Sequence, residues 1–272
     1  MTDQRRRYLE LQRELGGNEV ILSKPLDQLA RREPRSNAVM PAPAVIPPIA
    51  SPSREQPARK HWSTDAPPIP VTPGLVVLGP ERGLMDAGPE WGSLDVVVRT
   101  IADCRKCFLC EGRTNTVPGE GSPTARLMFV GEGPGQTEDQ TGRPFVGRAG
   151  ELLTQIIEAV ELKREDVYIA NAVKCRPPQN RKPLPDELAA CWPYLERQIE
   201  LIHPKVLVAL GATAAEALLS VRRSLTELRG RVHSYRGIPL VVTYHPAALL
   251  RNPNWKKPTW DDVRIARQLL DR

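Results

Sequence analysis

Four of the five cysteines in this chain, Cys104, Cys107, Cys175 and Cys191, have the spacing of metal ligands. Cys104, Cys107 and Cys110 form the run C-x2-C-x2-C, and Cys175 and Cys191 follow far downstream with 15 residues between them. Thiolates in such a pattern bind zinc or an iron–sulfur cluster, and composition does not separate the two. Cys110 is either a spare thiol or a sign of a different ligand set, since free buried cysteines are common.

A glycine-rich segment, GEGPGQTEDQTGRPFVG at 131–147, carries the residues of a candidate ligand pocket. Its glycines, Gly133 among them, allow sharp turns and a close approach of the backbone to a ligand. Glu132 and Glu138 place carboxylates beside the turn, and Phe145 adds an aromatic ring that can stack on a flat ligand such as a base. The segment is not a phosphate-binding P-loop, because no Gly-Lys-Ser/Thr follows the glycines.

Two polar side chains and an apolar turn complete the candidate site. Asn171 offers one acceptor and two donors, which suits the hydrogen-bonding edge of a pyrimidine. His245 ends another apolar run, and Leu249, Leu250 and Arg251 follow it in a turn that we expect to be exposed. An apolar wedge beside an arginine suits insertion into a nucleic-acid duplex with a contact to phosphate.

Buried strands and amphipathic helices alternate through the region that carries these residues. The predicted strands cover 126–131, 166–173, 205–211 and 238–245. The predicted helices cover 94–104, 147–162, 185–202, 212–219 and 259–271, the last with Thr259 as its cap. This alternation predicts an α/β fold, a three-layer α/β/α domain with a mostly parallel four-stranded sheet. Ligands collect beyond the carboxyl ends of such strands, so the turns after the first, second and fourth strands should share one pocket.

The first third of the chain has a different composition. Half of the 28 prolines lie in the first 90 residues, and such a segment buries too little apolar surface to offset the entropy of ordering. We expect a disordered, Pro-rich N-terminal extension over 1–92, with a short helix at 4–16, followed by a folded domain over 93–272. The N-terminus lacks a secretory signal and no run of 18 apolar residues exists, which favours a cytoplasmic protein with reduced thiols. The net charge of +6 favours a polyanionic partner.

Taken together, these residues resemble the family 4 uracil-DNA glycosylases, the iron–sulfur type. The resemblance runs from about residue 104 to 270 and leaves the Pro-rich extension outside. It rests on four segments in order, CRKCFLCEGRTNTVPGEG, GEGPGQTEDQTGRPFVGRAGELL, NAVKCRPPQNRKP and YHPAALLR. The implied activity belongs to base excision repair: hydrolysis of the N-glycosidic bond of deoxyuridine in DNA, which releases uracil and leaves an abasic site.

The resemblance also implies a cofactor and partners. A 4Fe–4S cluster would be held by Cys104, Cys107, Cys175 and Cys191, whereas Cys110 departs from the family pattern. The partner would be uracil-containing DNA, single- or double-stranded, met at the nucleoid. The N-terminal extension lies outside the resemblance, and its Arg and Lys residues would be what holds a repair or replication protein. We expect a monomer with no membrane association.

Roles in the reaction follow from the same resemblance. Phe145 would stack on the flipped uracil, Asn171 would bond its polar edge and reject cytosine, and the backbone around Glu132 and Gly133 would also bond the base. His245 would stabilise the negative charge that builds on uracil O2 as the bond breaks.

The position of the attacking water is a separate question. The best-known uracil glycosylases have an Asp where this chain has Gly133, so Glu132 is expected to position the water, with Glu138 as the alternative. A related family traps its product through a His in an inserted KRRIH loop, and no such insertion follows Asn171. A further alternative of a different class is a non-catalytic zinc or iron–sulfur DNA-binding module, which an excision assay separates from an enzyme.

Overall fold

A seven-stranded sheet with helices on both of its faces forms the domain. The computed structural model describes residues 61–78 and 91–272. The strands are β1 (Pro73–Val77), β2 (Glu120–Gly121), β3 (Leu127–Gly131), β4 (Tyr168–Asn171), β5 (Val206–Leu210), β6 (Val232–Tyr235) and β7 (Ile238–Thr243). The helices are α1 (Leu94–Ala102), α2 (Leu109–Gly112), α3 (Gln136–Thr141), α4 (Arg148–Ala159), α5 (Pro185–Ile202), α6 (Ala212–Leu219), α7 (Leu225–Leu228), α8 (Pro246–Arg251) and α9 (Lys256–Asp271).

The four strands predicted from the sequence form the centre of this sheet. They are β3, β4, β5 and β7, and each is parallel to its neighbour in the order β7-β5-β3-β4. The predicted α/β fold is therefore confirmed, but the predicted count of four strands is wrong. The full order is β1-β6-β7-β5-β3-β4-β2, in which β6 is antiparallel to β7 and β2 is antiparallel to β4.

The three additional strands lack the features by which sequence reveals a strand. β2 has only two residues, too few for any periodicity. β6 is joined to β7 by the pair Arg236-Gly237, whose φ angles are 50° and 83°. Such two-residue hairpin turns need positive φ at both positions and usually carry Asn-Gly or Asp-Gly, so an arginine there hides the hairpin.

Strand β1 lies inside the range predicted as a disordered extension, and for residues 61–78 that prediction is wrong. β1 pairs in parallel with β6, and the backbone N–H of Leu75 donates to His233 Nδ1 at 2.9 Å. Trp62 is 8% exposed and packs in a cluster with Val160 and Val263. The apolar run that forms β1 follows several prolines, so the Pro-rich composition of the segment hid this strand from the sequence analysis. The helix predicted at 4–16 lies outside the described residues.

Successive side chains of a strand point to opposite faces of the sheet. Every residue of β3, β4 and β5 is buried, so both faces of these strands are covered. In β3, Met128 and Val130 join one core and Leu127 and Phe129 join the other. The first core is completed by α5 and α6, and the second by α4 and α9. Continuous apolar strands are typical of sheets covered on both sides, which explains why the sequence reveals these four strands so clearly.

The bounds of the predicted helices agree with the structure within two residues except at two ends, of which one is the end of α4 at Ala159, three residues before the predicted end at 162. Helix α9 begins at Lys256, three residues before the predicted cap. Thr259 lies inside the helix and its hydroxyl donates to the carbonyl of Trp255 at 2.8 Å, so Thr259 is not the cap. Within 61–78 and 91–272, none of the helices has both the length and the apolar character needed to cross a membrane.

Candidate active site and thiol centre

The carboxyl ends of the central parallel strands border an open cavity of about 560 Å³. Seven residues predicted from the sequence line it: Glu132, Gly133, Glu138, Phe145, Asn171, His245 and Arg251. The turns after β3, β4 and β7 therefore meet at one pocket, as the parallel arrangement of these strands requires.

Phe145 occupies a strained but well-supported turn beside the cavity. Its φ of 49° is left-handed, which is uncommon for a residue other than glycine and persists only when the surroundings enforce it. Arg164 contributes to that support by donating to the carbonyl of Pro144 at 2.5 Å. The Phe145 ring lies 5.4 Å from the His245 imidazole, with 32° between their planes. An aromatic face is thereby fixed next to an imidazole at the cavity wall.

Asn171 is buried with an unused acceptor. It is 1% exposed, and its Oδ1 has no hydrogen-bond partner among the described residues. Buried polar atoms are nearly always paired, so an exception calls for an explanation such as a ligand. A side chain at Gly131 is impossible without a shift, because a Cβ there would lie 2.4 Å from Asn171 Oδ1 and 2.5 Å from the Phe145 ring. Gly131 thus allows the carboxamide and the ring to approach each other.

His245 is a neutral imidazole at neutral pH. Burial lowers its pKa to about 4, and the positive charge of Arg251 adds to this effect, while Glu138 acts in the opposite direction. Nδ1 accepts from the backbone N–H of Ala247 at 3.2 Å, at the start of α8. A neutral ring whose Nδ1 is an acceptor carries its proton on Nε2, so we assign that tautomer. The cavity therefore receives a neutral N–H donor.

The two candidate carboxylates differ in how far their oxygens are occupied. Glu132 Oε2 accepts from the hydroxyl of Thr213, and Glu132 Oε1 has no protein donor among the described residues. Glu138 uses both oxygens to hold the loop that carries Phe145. It accepts at 3.1, 3.0 and 2.8 Å from the backbone N–H groups of Gly135, Val146 and Gly147. Glu132 is the carboxylate that remains available to a water molecule.

The predicted wedge residues do not share one environment. Helix α8 replaces the predicted exposed turn, and Leu249 is 1% exposed because its side chain faces the core. The prediction that Leu249 forms part of a wedge is therefore wrong. Leu250 is 41% exposed, and Arg251 is exposed and lines the cavity. Consecutive helix residues point about 100° apart around the helix axis, so one leucine can be buried and the next exposed, which the short leucine pair could not reveal.

The sequence analysis did not identify several residues that line the cavity. Thr213, which orients Glu132, lies in the first turn of α6, in a stretch that reads as an ordinary buried helix. Asn180 and Arg181 also line the cavity, from the segment before α5. Arg181 is held by two bonds of 2.8 and 2.6 Å to Glu187. The polar run QNRKP after the predicted strand was the available signal for this loop.

All five cysteines line a second, smaller cavity. Cys104 and Cys107 reach it from the segment between α1 and α2, and Cys110 from α2 itself. Cys175 reaches it from the loop after β4, and Cys191 from α5. None of them forms a disulfide. Three distant parts of the chain thus bring their thiols to one place.

Cations and N–H donors accompany these thiols. Arg113 donates to Cys175 Sγ at 3.2 Å, and the backbone N–H of Lys174 donates to Cys191 Sγ at the same distance. Burial raises the pKa of the Cys175 thiol and raises that of Cys191 to about 12, so neither ionises readily without a further positive charge. A bound metal supplies such a charge, because coordination favours the thiolate.

The donor set consists of thiols, which are the ligands that an iron–sulfur cluster takes. The described residues contain no group of three or more His, Cys, Asp or Glu side chains arranged for one metal ion. An iron–sulfur cluster is held by thiolates on separate irons, so its ligands surround a cavity and not a point. Five thiols around one cavity fit that description.

Comparisons with known proteins give a consistent family. The model of the uracil DNA glycosylase superfamily matches residues 118–266. The type-4 uracil-DNA glycosylase of Sulfurisphaera tokodaii is 49% identical over 186 residues, which cover 65% of this chain and 84% of that protein. The type-4 enzyme of Thermotoga maritima is 51% identical over 183 residues, covering 66% of this chain and 95% of that protein. That of Archaeoglobus fulgidus is 43% identical over 188 residues, covering 66% and 94%.

Proposed function

This chain belongs to the uracil-DNA glycosylase superfamily and, within it, to the type-4 uracil-DNA glycosylases, and from that premise we propose how its cavity excises uracil. The enzyme hydrolyses the N-glycosidic bond of deoxyuridine in DNA, leaving free uracil and an abasic site for repair. The observation that carries the proposal is the meeting of Phe145, Asn171 and His245 at one cavity, where Asn171 Oδ1 is unpaired.

Uracil reaches this cavity only after it leaves the base stack. Flipping costs roughly a few kcal/mol, and less for a U·G mismatch or a single strand. The Phe145 ring is held where it can stack on the extruded base, and stacking of this kind is worth about 1–3 kcal/mol per base. Leu250 is exposed beside Arg251 and can fill the gap left in the duplex, while Arg251 meets a phosphate.

Asn171 selects uracil over cytosine through its carboxamide. Its unpaired Oδ1 accepts from the N3–H of uracil, and its Nδ2 donates to O4. Cytosine presents an acceptor at N3 and an amine at position 4, so both bonds would be mismatched. A buried polar site that rejects the wrong partner in this way discriminates strongly, because its own groups are left unpaired.

His245 stabilises the leaving group. Its neutral Nε2–H donates to uracil O2, where negative charge develops as the glycosidic bond lengthens. This donation needs no full proton transfer, which agrees with a pKa lowered to about 4 by burial. Glu132 then positions water against the sugar cation, its carboxylate oriented by the Thr213 hydroxyl. An oxocarbenium-like sugar is a strong electrophile, so a weakly activated water suffices.

The thiol centre is the seat of a 4Fe–4S cluster, held by Cys104, Cys107, Cys175 and Cys191, and Cys110 is a fifth thiol at the same cavity. When bound, the cluster supplies a structural crosslink between three segments of the chain. Cys191→Ser should abolish the visible absorbance and the iron content of the purified protein, whereas Cys110→Ser should retain both. Retention of full iron by Cys191→Ser, or equal loss in both variants, would contradict the ligand assignment.

The remaining proposals concern partners and cell location. The substrate is uracil-containing DNA, single- or double-stranded, and the enzyme acts in the cytoplasm at the nucleoid as a monomer. The Pro-rich N-terminal extension binds a repair or replication protein. Size-exclusion chromatography with light scattering tests the oligomeric state, and pull-down with and without residues 1–60 tests the extension.

A cleavage assay tests the base-reading and leaving-group roles. A labelled oligonucleotide with one uracil is incubated with the enzyme and then treated with alkali, which cuts at abasic sites. His245→Ala and Asn171→Ala should each lower the single-turnover excision rate at least tenfold, about 1.4 kcal/mol, while DNA binding largely survives. Wild-type rates on a U·G duplex in both variants would refute the assignment.

A further inference from the structure

Lys174 lies between the thiol centre, the cavity lined by the five cysteines, and the uracil pocket, the cavity lined by Phe145, Asn171 and His245. Its main-chain N–H belongs to the thiol centre, as described above, but no role has yet been given to its side chain. Its side chain is 1% exposed, which is rare for lysine. Nζ donates to the backbone carbonyl of Asn171 at 2.9 Å and to Gln198 Oε1 at 2.7 Å. A buried ammonium is tolerated only when it is well paired, so these two acceptors are required by the fold around it.

The partner Gln198 is itself fully engaged. It is completely buried, and its Nε2 donates to the carbonyl of Pro118 at 2.8 Å and to the hydroxyl of Tyr168 at 3.2 Å. Fully satisfied networks of this kind make their members rigid. Lys174 Nζ therefore connects the end of β4 to a fixed point on α5.

The backbone of Lys174 contacts the thiol centre. Its N–H donates to Cys191 Sγ at 3.2 Å, and the next residue is Cys175. Its carbonyl accepts from the N–H of Val117 at 2.7 Å. The main chain of Lys174 thus contacts the thiols, and its side chain bonds Asn171, which lines the uracil pocket.

The carbonyl of Asn171 lies where the ladder between β3 and β4 ends, although the main-chain N–H groups of Ala172 and Val173 still donate to the carbonyls of Gly131 and Glu132 at 2.9 and 3.1 Å. The last paired residues of β3 and β4 are Gly131 and Asn171. Beyond this point the chain turns towards Cys175, and the carbonyl of Asn171 is held by the Lys174 ammonium. A small displacement of this peptide would move the carboxamide relative to Phe145, and errors of about 1 Å in positioning can cost a hundredfold in rate.

We propose that Lys174 is a positioning residue for uracil excision, which holds Asn171 in its base-reading orientation and couples that orientation to the thiol centre. This inference rests on the proposed role of Asn171. It predicts that loss of the ammonium lowers the excision rate through Asn171 and leaves the thiol centre loaded.

Lys174→Met tests this proposal, because methionine has a similar length and no charge. The single-turnover excision rate should fall at least tenfold, the KM for the oligonucleotide should change less than about threefold, and the iron content should remain at the wild-type level. Lys163→Met makes the same substitution at a side chain that is 76% exposed, and it should leave every readout unchanged.

A double-mutant cycle distinguishes positioning from a general structural role. If Lys174 acts through Asn171, adding Lys174→Met to Asn171→Ala should slow excision by less than about twofold more. Multiplied losses would overturn the proposal, as would a wild-type rate in Lys174→Met. Gln198→Met removes the other acceptor of the ammonium and should give a smaller loss with the same non-additivity.

The remaining outcomes are also decisive. Failure of both Lys174→Met and Gln198→Met to fold or to retain iron would overturn the proposal, because the network would then support the whole domain and not Asn171. A wild-type rate in Asn171→Ala would instead refute the base-reading role on which the inference depends. Loss of rate in Asn171→Ala with none in Lys174→Met would refute only the inference.

Discussion

The uracil pocket and the thiol centre are neighbouring cavities built on opposite principles. In the pocket, Asn171 Oδ1 has no partner among the described residues and His245 is uncharged. In the thiol centre, Cys175 accepts a bond from Arg113 and Cys191 accepts one from a backbone N–H. The groups for which we propose a role on the substrate are left available, whereas the thiols accept hydrogen bonds from the protein itself.

The same difference appears within the pocket itself. Glu132 keeps one oxygen without a protein donor in the described part of the chain, whereas Glu138 spends both oxygens on backbone N–H groups. On α8, next to the pocket residue Arg251, Leu250 is exposed, whereas Leu249 is buried. The two residues of each pair have the same side chain but different contacts, so the same substitution at both positions tests the distinction directly.

The largest effect is expected at Gly131, on which both pocket walls depend. Gly131→Ala places a Cβ 2.4 Å from Asn171 Oδ1 and 2.5 Å from the Phe145 ring, so one or both must move. We expect the single-turnover excision rate to fall about a hundredfold, or roughly 3 kcal/mol. Gly92→Ala is the control, since a Cβ there meets nothing within 4 Å. A wild-type rate in Gly131→Ala would show that the pocket tolerates a looser geometry than its close contacts imply.

The carboxylate pair should separate activity from stability. Glu132→Gln keeps the shape and the bond to Thr213 but removes the charge, so excision should slow at least tenfold, about 1.4 kcal/mol, at unchanged stability. Glu138→Gln replaces an acceptor by an N–H₂ group that faces backbone N–H donors, so the free energy of unfolding should fall by about 1–3 kcal/mol. Denaturant titration and single-turnover rates measure the two effects. The opposite assignment of losses would exchange the roles of these residues.

Protonation of His245 would put a proton on Nδ1, which accepts from the N–H of Ala247, so the ring would lose the contact that orients it. We therefore expect excision to slow only in acid. Because burial lowers the pKa of His245 to about 4, the neutral donor persists as pH falls through 6.5, and the rate on single-stranded DNA should halve near pH 4. Arg251 also lowers this pKa, so Arg251→Ala should move the half-point upwards. A half-point near 6.5 in the wild type would mean that the imidazole is solvated and not buried.

Stability must be followed in the same titration. The unfolded chain binds a proton at His245 near pH 6.5 and the folded protein only near pH 4, so the unfolded state takes up more protons between these values. The contribution of His245 to stability is therefore lost as pH falls through this window. Tryptophan fluorescence at each pH separates unfolding from the loss of the neutral donor.

The sequence predicted the parts of this molecule that follow a simple periodicity. The central strands are continuous apolar runs, and α5 and α6 were predicted with the bounds that the structure has. The convergence of Phe145, Asn171 and His245 followed from parallel strands that end at one edge. None of this required knowledge of long-range packing.

What could not be predicted depends on contacts between distant segments. The strand β1 is held by His233, which lies 158 positions away from Leu75, and the two-residue strand β2 exists only through its pairing with β4. Thr213 is indistinguishable from a core helix residue until the fold brings it to Glu132. The three backbone N–H groups that donate to Glu138 come together only when its loop folds, and amino-acid composition does not predict this.

The smallest effect is expected from the leucine pair, which tests whether exposure alone marks a DNA contact. Leu250→Ala removes an exposed apolar side chain, so excision from a U·A duplex should slow about threefold, because less apolar surface fills the gap left by the flipped base. Excision from single-stranded DNA should not change, since no stack needs to be filled. Leu249→Ala instead creates a cavity in the core, and the free energy of unfolding should fall by about 2–5 kcal/mol at a nearly unchanged rate. An equal loss on duplex and single strand in Leu250→Ala would argue against a wedge and for a contact with the extruded nucleotide itself.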